Sequence, residues 1–317
     1  MNIKEQGIKK ILLFGGSGMV GRNIKDVLYE GKYSVYSPNR SELDLNDLTS
    51  TEKYINKIKP DLVIHAAGKV GGIQANTKFP VNFLIENIDI SKNIILSSKK
   101  AGVKRLLNLG SSCMYPRNIE IPMHEDMILK GELEPTNEGY ALAKIVAAKL
   151  CNYISKEDFR FNYKTIIPCN LYGKYDCFSP ERSHLVPSII FKLEKAIKEN
   201  LSTVSIWGDG TAKREFMYAG DLSEAIKIFI DDFDMQPPIM NIGCSKDHKI
   251  KDYYEIAAEI IGFKGIFKYD LSKPVGMRRK KVNIQKQKNW GWMPKTDLKE
   301  GIRLSYDYYI ESIKNEI

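Results

Sequence analysis

Cysteine is scarce in this chain, and its few cysteines are not arranged as a structural framework. The five are scattered, odd in number and never spaced as CxxC; they are Cys113, Cys151, Cys169, Cys177 and Cys244. A disulfide scaffold and a zinc site are therefore both unexpected, and we predict no metal.

Long apolar runs are also missing. No stretch approaches the ~18 residues that a membrane span requires. The segment 9–14 faintly resembles a signal peptide, but its apolar part is short and leads into Gly15-Gly16-Ser17-Gly18 without a small-residue cleavage pattern. We interpret this segment as a first strand, and we expect a cytoplasmic protein with no membrane contact.

Charge of one sign predominates, with a formal net charge of +9. Zinc-finger spacing, an RNP signature and a basic tract with interleaved aromatics are missing, so we do not predict a nucleic-acid partner. A polyanionic small molecule explains the excess as well, and so does a solvated, lysine-rich surface. The sharpest basic run, 277–281, either closes over phosphates or is merely solvated.

A strand, a glycine turn and a helix follow one another near the N-terminus. Residues 9–16 form a short apolar run typical of a buried parallel strand, and residues 19–29 are amphipathic. Glycines in such a turn allow positive φ and close approach of the backbone to a pyrophosphate at the helix N-terminus. The turn predicts a dinucleotide site formed by Gly15, Ser17, Gly18, Met19, Val20 and Gly21.

The predicted second strand, residues 33–37, is followed by Arg40. An acidic residue at this position holds a ribose 2′-hydroxyl, whereas an arginine suits a 2′-phosphate. Arg40 therefore favours NADP(H) over NAD(H), with a plain surface arginine as the alternative. Asp44 and the adjoining Leu45 are predicted to approach the adenine.

Three more strands are predicted at 61–68, 105–110 and 163–169, with a long helix at 79–100. This succession predicts an α/β fold with a Rossmann-type doubly wound parallel sheet, in which ligands bind outside the carboxyl ends of the strands. Small residues that let a cofactor lie close are Ala66, Ala67 and Gly68. We predict an NADP-binding domain over 1–173 and a smaller C-terminal α/β substrate domain over 174–317, partly interleaved with the first.

Tyr140 and Lys144 stand four residues apart in a segment that is predicted to be helical. That spacing places both side chains on one helix face. An ammonium beside a phenol is expected to lower the phenol's pKa toward a useful proton carrier. Because ligands sit at the strand ends, Ser111 and Cys113, which follow the fourth strand, are expected beside this pair. An ordinary Tyr–Lys pair on a solvated helix is the alternative.

Together these features resemble the GDP-L-fucose synthase family, within the extended short-chain dehydrogenase/reductase superfamily. The resemblance covers nearly the whole chain. It is carried by the segments at 69–73, 110–116, 134–144, 170–173, 183–187 and 207–216.

The resemblance implies a role for each catalytic residue. Tyr140 would donate a proton to the C4 oxygen as NADPH delivers hydride to C4, and Lys144 would hold the nicotinamide ribose. Ser111 would hydrogen-bond the keto oxygen. Cys113 and His184 would be the acid/base pair for epimerisation at C3 and C5; an inert buried thiol and a structural histidine are the alternatives.

The resemblance also implies binding residues and a homodimer. Further cofactor contacts would come from Asn87, Leu109, Tyr140, Lys144, Pro168, Asn170, Leu171 and His184. The GDP-sugar would be held by Ser111, Ser112, Cys113, Asn170, Lys192, Trp207, Arg214 and Lys280.

Departures from the family pattern leave the sugar open. Gly139 replaces a proline before Tyr140, and the loop 174–182 carries Cys177, Ser179, Glu181 and Arg182. Near the C-terminus, residues 275–279 and Asn283 also differ. One alternative is a C4 reductase of a GDP-4-keto-6-deoxyheptose with little or no epimerisation, and another is a non-catalytic NADPH sensor.

Overall fold

The computed structural model describes residues 7–179, 183–273 and 275–314. Its strands are β1 (Lys10–Phe14), β2 (Ser34–Tyr36), β3 (Leu62–His65), β4 (Arg105–Leu109), β5 (Asn162–Pro168), β6 (Asn170–Tyr172), β7 (Thr203–Trp207), β8 (Lys213–Arg214), β9 (Phe216–Tyr218), β10 (Ile239–Ile242), β11 (His248–Lys249), β12 (Ile266–Asp270) and β13 (Arg279–Lys280). Its helices are α1 (Met19–Tyr29), α2 (Leu48–Ile58), α3 (Ile73–Lys78), α4 (Pro80–Lys100), α5 (Glu138–Glu157), α6 (Leu185–Lys198), α7 (Ala219–Asp231), α8 (Ile250–Ile261), α9 (Gln285–Trp290) and α10 (Leu298–Lys314).

The largest sheet has six strands in the order β10-β5-β4-β3-β1-β2, and all of its pairings are parallel. From β1 the chain passes to β2 on one side and then crosses to β3 on the other. The strand order therefore reverses between β1 and β3, which opens a crevice at their carboxyl ends. This topology confirms the predicted doubly wound parallel sheet.

The sheet strands are apolar because helices cover both of their faces. Every residue from Ile11 to Phe14 in β1 is fully buried. Ile24 and Leu28 of α1 belong to one apolar cluster, while Ile55 of α2 and Ile94 of α4 belong to another. Strands buried on both faces carry near-continuous hydrophobic runs, which is the pattern that revealed them in the sequence.

A smaller region is built from the C-terminal half around a third apolar cluster. Its helices α6, α8 and α10 pack together beside the parallel pair of β7 and β12. The chain does not stay there after residue 173, because α7 packs on α1 and β10 pairs with β5 in the large sheet. The predicted domain boundary at 173 stays a prediction.

The fold delivers three segments to one edge of the large sheet. These are the turn between β1 and α1, the residues that follow β4, and the first turns of α5. Within the part of the chain that the structure describes, no helix is long and apolar enough to cross a membrane. The same residues contain no group of three or more His, Cys, Asp or Glu side chains placed to hold a metal.

Candidate active site

A cavity of about 780 Å³ opens at the carboxyl ends of the sheet strands. Most of the residues predicted to form the site lie in its wall. They are Gly15, Ser17, Gly18, Met19, Val20, Gly21, Arg40, Asp44, Leu45, Ala66, Ala67, Gly68, Leu109, Ser111, Ser112, Cys113, Tyr140, Lys144, Pro168, Asn170, Leu171, His184, Arg214 and Lys280. Three predicted residues, Asn87, Lys192 and Trp207, lie outside this wall.

The glycine turn forms one end of the cavity. Gly15 has a φ of +86°, and a Cβ there would lie 2.5 Å from the backbone of Ala66. A Cβ on Gly21 would lie 2.1 Å from the Gly15 carbonyl oxygen, whereas one on Gly18 would meet nothing nearer than 3.5 Å. Gly15 and Gly21 therefore let α1 pack tightly on β1 and β3, while Gly18 leaves space.

The N-terminus of α1 fits the pyrophosphate of a dinucleotide. Gly18 is its cap residue and supplies no side-chain cap, and the first turn contains no acidic side chain. The first N–H groups of a helix lack intrahelical acceptors, and the helix dipole favours negative charge there. A phosphate placed against this turn would satisfy those donors.

Asn87 does not line the cavity but supports its wall at the loop after β3. Its Oδ1 accepts a 2.8 Å hydrogen bond from the Lys69 N–H, and its Nδ2 donates to the carbonyl oxygens of Lys69 and Phe83 at 3.0 and 2.7 Å. A Cβ on Gly68 would lie 2.7 Å from the same Oδ1. Asn87 thus fixes the loop after β3, and its contact with a cofactor stays a prediction.

Tyr140 and Lys144 lie on one face of α5, with the Lys144 Nζ 5.9 Å from the centre of the Tyr140 ring. Burial raises the pKa of Tyr140, and a hydrogen bond with the Ser111 side chain opposes this rise. The expected net lowering of the pKa of Tyr140 is therefore wrong for this structure. Desolvation disfavours the phenolate more than the surroundings stabilise it, so the phenol stays protonated at neutral pH.

The Lys144 side chain is also buried. Its Nζ donates a 2.9 Å hydrogen bond to the Leu109 carbonyl oxygen, at the end of β4. Burial lowers the pKa of Lys144 to about 8, against the electrostatic effect of Cys113, which raises it. Near neutral pH the Lys144 side chain remains mainly an ammonium. It can therefore donate hydrogen bonds beside Tyr140.

The sulfur of Cys113 accepts hydrogen bonds from two side chains. Nδ2 of Asn137 lies 3.2 Å from this sulfur, and Nζ of Lys280 lies 3.3 Å from it. Burial lowers the pKa of His184, and the positive charge of Lys280 lowers it further. Lys280 therefore acts electrostatically on His184 while it contacts Cys113.

Asn137 is one of the site residues that the sequence reasoning missed. It lies in the cavity wall and within the segment that contains Tyr140, yet no role was assigned to it. Its sequence position could have indicated a role. Asn137 stands three residues before Tyr140 and seven before Lys144, so all three lie on one helix face if the helix begins there.

Lys192 and Trp207 form a separate cluster. The Lys192 Nζ lies 5.7 Å from the Trp207 ring centre and 3.2 Å from the Tyr254 hydroxyl. Burial lowers the pKa of Lys192. Arg214, which does line the cavity, donates from Nη2 to the Val275 carbonyl oxygen at 2.9 Å.

The divergent loop that follows β6 is only partly described. Cys177 and Ser179 are in it, and the Asp176 Oδ1 accepts a 2.8 Å hydrogen bond from the Cys177 N–H. Glu181 and Arg182, which we singled out in the sequence, lie outside the described residues.

A doubly wound parallel sheet, a glycine turn at its switch point and a Ser–Tyr–Lys set beside it define a short-chain dehydrogenase/reductase. Residues 11–243 match the NAD dependent epimerase/dehydratase family, and the chain belongs to that family.

Several proteins similar to this chain are named as enzymes that act on GDP-sugars. The chain is 49% identical to a GDP-L-colitose synthase of Yersinia pseudotuberculosis, over 97% of this chain and 100% of that protein. It is 48% identical to a GDP-L-fucose synthase of Azorhizobium caulinodans, over 95% and 96%. Among solved structures, it resembles a GDP-mannoheptose C4 reductase from Campylobacter jejuni with NADP bound, at 28% identity and a TM-score of 0.85, over 96% and 99%.

Proposed function

We propose that this protein is an NADPH-dependent reductase that acts at C4 of a GDP-linked 4-keto-6-deoxy sugar. In its simplest form it epimerises C3 and C5 and then reduces C4, as a GDP-L-fucose synthase. The observation that carries the proposal is that Ser111, Cys113, Tyr140 and Lys144 share one cavity wall with the glycine turn of α1. The names of its relatives support the GDP-sugar.

The cofactor end of the cavity suits NADP(H). Bound NADPH would supply the hydride for the reduction. The free N–H groups of α1 would hold its pyrophosphate, and Arg40 would hold its 2′-phosphate because a guanidinium matches phosphate oxygens. Lys144 would donate to the nicotinamide ribose, with Asp44 and Leu45 near the adenine.

Tyr140 would serve as the proton donor in the reduction. As hydride reaches C4, negative charge develops on the C4 oxygen, and a protonated phenol can neutralise it by transferring its proton. The burial that keeps Tyr140 protonated suits this role. Ser111 would hydrogen-bond the same oxygen and orient the ketone.

Epimerisation would use Cys113 and His184 on opposite faces of the sugar. A thiolate at Cys113 takes a proton from the carbon next to the ketone, so that a C–H bond breaks and an S–H bond forms. The electron pair moves into an enolate whose oxygen is the C4 oxygen. His184 would then deliver a proton to the carbon from the other side, which inverts its configuration. Because burial and Lys280 lower the pKa of His184, its protonated form would be reached only transiently in this step.

Nucleotide binding would extend toward Lys192, Trp207 and Arg214. An indole ring offers a face on which a guanine base can stack, and a guanidinium suits a diphosphate through paired hydrogen bonds. Lys280 and Ser112 would contact the sugar end. We therefore expect Trp207→Ala to raise KM for the GDP-sugar more than it lowers kcat.

The proposal is tested by incubating the enzyme with NADPH and GDP-4-keto-6-deoxymannose in deuterated water and examining the product by NMR. GDP-L-fucose with deuterium at C3 and C5 is the expected result. Tyr140→Phe should lose about 10²- to 10⁴-fold in hydride transfer, while Cys113→Ser should lose exchange and keep reduction of the epimerised intermediate. If the wild type shows no reduction and no exchange, the proposal is overturned for this sugar.

The heptose remains a second candidate because one solved relative is a GDP-mannoheptose C4 reductase. NADPH oxidation with GDP-4-keto-6-deoxymannoheptose, without deuterium uptake, would favour it over the hexose. Binding of NADPH without turnover of either sugar would favour the non-catalytic sensor.

We also propose a homodimer that forms through α4 and α5. These adjacent helices carry exposed apolar side chains at Val81, Ile85, Leu142, Val146 and Tyr153. A second copy related by a two-fold axis would cover this face and complete a four-helix bundle. Sedimentation should give a dimer for the wild type and a monomer for Val146→Glu. A monomeric wild type would refute the proposed dimer.

We also propose a cytoplasmic location. The free thiol of Cys113 supports it, because thiols stay reduced in the cytoplasm.

A further inference from the structure

The amide of Asn137 is aimed at the sulfur of Cys113, although its position in the chain offers it another use. Asn137 is the cap residue of α5, and asparagine is among the residues that best cap a helix through their side-chain oxygen. Here the side chain makes no cap hydrogen bond. Its Nδ2 instead donates to the Cys113 Sγ at 3.2 Å.

The orientation of this amide leaves its other end unsatisfied. Within the described residues, the Asn137 Oδ1 is buried and has no hydrogen-bond partner. A buried acceptor without a donor is unfavourable, and so is an unused cap. The Asn137 side chain makes no cap hydrogen bond and leaves its Oδ1 without a donor, yet it hydrogen-bonds a reactive sulfur. Such a departure from local structural preference is typical of functional residues.

A second donor approaches the same sulfur. The Lys280 Nζ lies 3.3 Å from it, and the Cys113 N–H donates to the Ser111 Oγ at 3.2 Å. Both side-chain groups on the sulfur, an amide NH₂ and an ammonium, are donors only. This arrangement suits a sulfur that accepts twice, which is what a thiolate does far better than a thiol.

Charged and titratable groups surround Cys113 from several elements. Lys144 and Tyr140 face it from α5, Arg214 from β8 and Lys280 from β13. Three of these four groups are cations. Glu134, which also lines the cavity, acts electrostatically on Arg214. Among these groups Asn137 contributes a directed N–H to the sulfur.

We propose that Asn137 is a positioning residue for proton transfer at C3 and C5, because its N–H holds the Cys113 sulfur as an oriented thiolate next to the sugar. This inference rests on the proposed function for the identity of the reaction. Asn137 does not take part in hydride transfer, which Tyr140 and Lys144 serve from further along the same helix. The two half-reactions should therefore respond differently to its replacement.

The kinetic test compares the two half-reactions in Asn137→Ala and Asn137→Asp. Loss of a hydrogen bond to a charged atom corresponds to roughly 10- to 100-fold in rate. We expect deuterium exchange at C3 and C5 to slow by that factor, and reduction of the already epimerised intermediate to change by less than about threefold. The matched control is Glu138→Ala, an exposed neighbour on the same helix, which should alter neither rate.

A second readout needs no substrate. Alkylation of Cys113 by iodoacetamide is followed from pH 5 to 10 by peptide-resolved mass spectrometry, which separates Cys113 from the exposed Cys177. We expect the pH of half-maximal alkylation to rise in Asn137→Ala and to rise further in Asn137→Asp, whose carboxylate repels a thiolate. The Asp variant keeps the volume of Asn, so it still serves if the Ala variant folds poorly.

The outcomes separate this inference from the proposed function. If wild type acts on none of the sugars, the proposed function fails, while the alkylation profile still tests the contact between Asn137 and Cys113. If the alkylation profile of both variants coincides with that of wild type, the inference is overturned. Equal slowing of exchange and reduction would also overturn it, since this is what general damage to the site produces.

Discussion

The Nζ of Lys144 donates a 2.9 Å hydrogen bond to the carbonyl oxygen of Leu109, the last residue of β4. This contact ties α5 to the strand end that delivers Ser111. It also holds an ammonium in a buried place, where desolvation lowers the pKa of Lys144 to about 8. Burial of this ammonium therefore makes the folding stability of the protein depend on pH.

Folding stability should rise with pH above about 8 because of Lys144. The unfolded lysine keeps its proton up to about pH 10.5, whereas the folded one releases it near 8, so between these values the unfolded state binds more protons. The penalty is fully present below pH 8 and is relieved toward pH 10.5. The difference between the two pKa values corresponds to about 3 kcal/mol.

Urea unfolding of wild type and Lys144→Met between pH 7 and 10.5 measures this effect. We expect the methionine variant to be the more stable at pH 7, with its advantage shrinking as pH rises. Lys156→Met, an exposed lysine on the same helix, is the control and should track wild type. Parallel curves for wild type and Lys144→Met would show that the buried ammonium carries no penalty.

The relation between Tyr140 and Lys144 shows what the sequence can predict. Their spacing alone places them on one helix face, because the helical period is a local property. The direction in which the pKa of Tyr140 shifts was not predictable in the same way. It depends on how deeply the phenol is buried by segments remote in sequence, such as β4 and the residues after it.

Two further elements mark the same limit. The strand β10 was not predicted, because its few residues, Ile239–Ile242, become a sheet strand only by pairing with β5. Asn137 was not predicted, because its contact with Cys113 joins two segments that lie 24 residues apart in the sequence. Only the three-dimensional structure shows its amide turned toward Cys113.

The glycine turn allows a comparison of two similar substitutions. Gly21→Ala puts a Cβ 2.1 Å from the Gly15 carbonyl oxygen, and we expect it to destabilise the fold by about 1–3 kcal/mol through overpacking. Gly18→Ala has a clearance of 3.5 Å, so it should cost less than about 1 kcal/mol in stability. Its methyl group would instead obstruct a pyrophosphate, weakening NADPH binding by about tenfold or more, or 1.4 kcal/mol.

Thermal melts and NADPH titrations of the two glycine variants separate these effects. Gly21→Ala should lower Tm clearly, while Gly18→Ala should keep Tm near the wild-type value and bind NADPH weakly. Equal affinity in Gly18→Ala and wild type would mean that the dinucleotide does not approach the first turn of α1.

Arg40 should set the preference between the two nicotinamide cofactors. Arg40→Ala removes a charge-assisted contact to a 2′-phosphate, so the Kd for NADPH should rise roughly 10- to 100-fold while that for NADH stays unchanged. Fluorescence titration with both cofactors measures the ratio. Lys57→Ala, which removes an exposed charge from α2, is the control. A similar loss for NADPH in that variant would point to the general positive field instead of a specific contact.

Asp176 should destabilise the protein above neutral pH. Its Oδ2 is buried without a partner among the described residues, and burial raises the pKa of this carboxyl to about 7 from 3.8. Between those values the folded state keeps a proton that the unfolded state has released, so stability falls as pH rises from about 4 to 7. The penalty is fully present above pH 7 and corresponds to at most about 4 kcal/mol.

Replacing Asp176 by asparagine should therefore stabilise the protein at pH 8 and leave it unchanged near pH 4, as measured by urea unfolding at both pH values. A carboxyl of opposite character provides the comparison. Arg160 lowers the pKa of Asp158 to about 2 through a side-chain hydrogen bond, so Asp158→Asn should not stabilise the protein at pH 8. If Asp176→Asn also fails to stabilise it at pH 8, the Asp176 carboxylate must be solvated after all, and the loop after β6 must open to water around it.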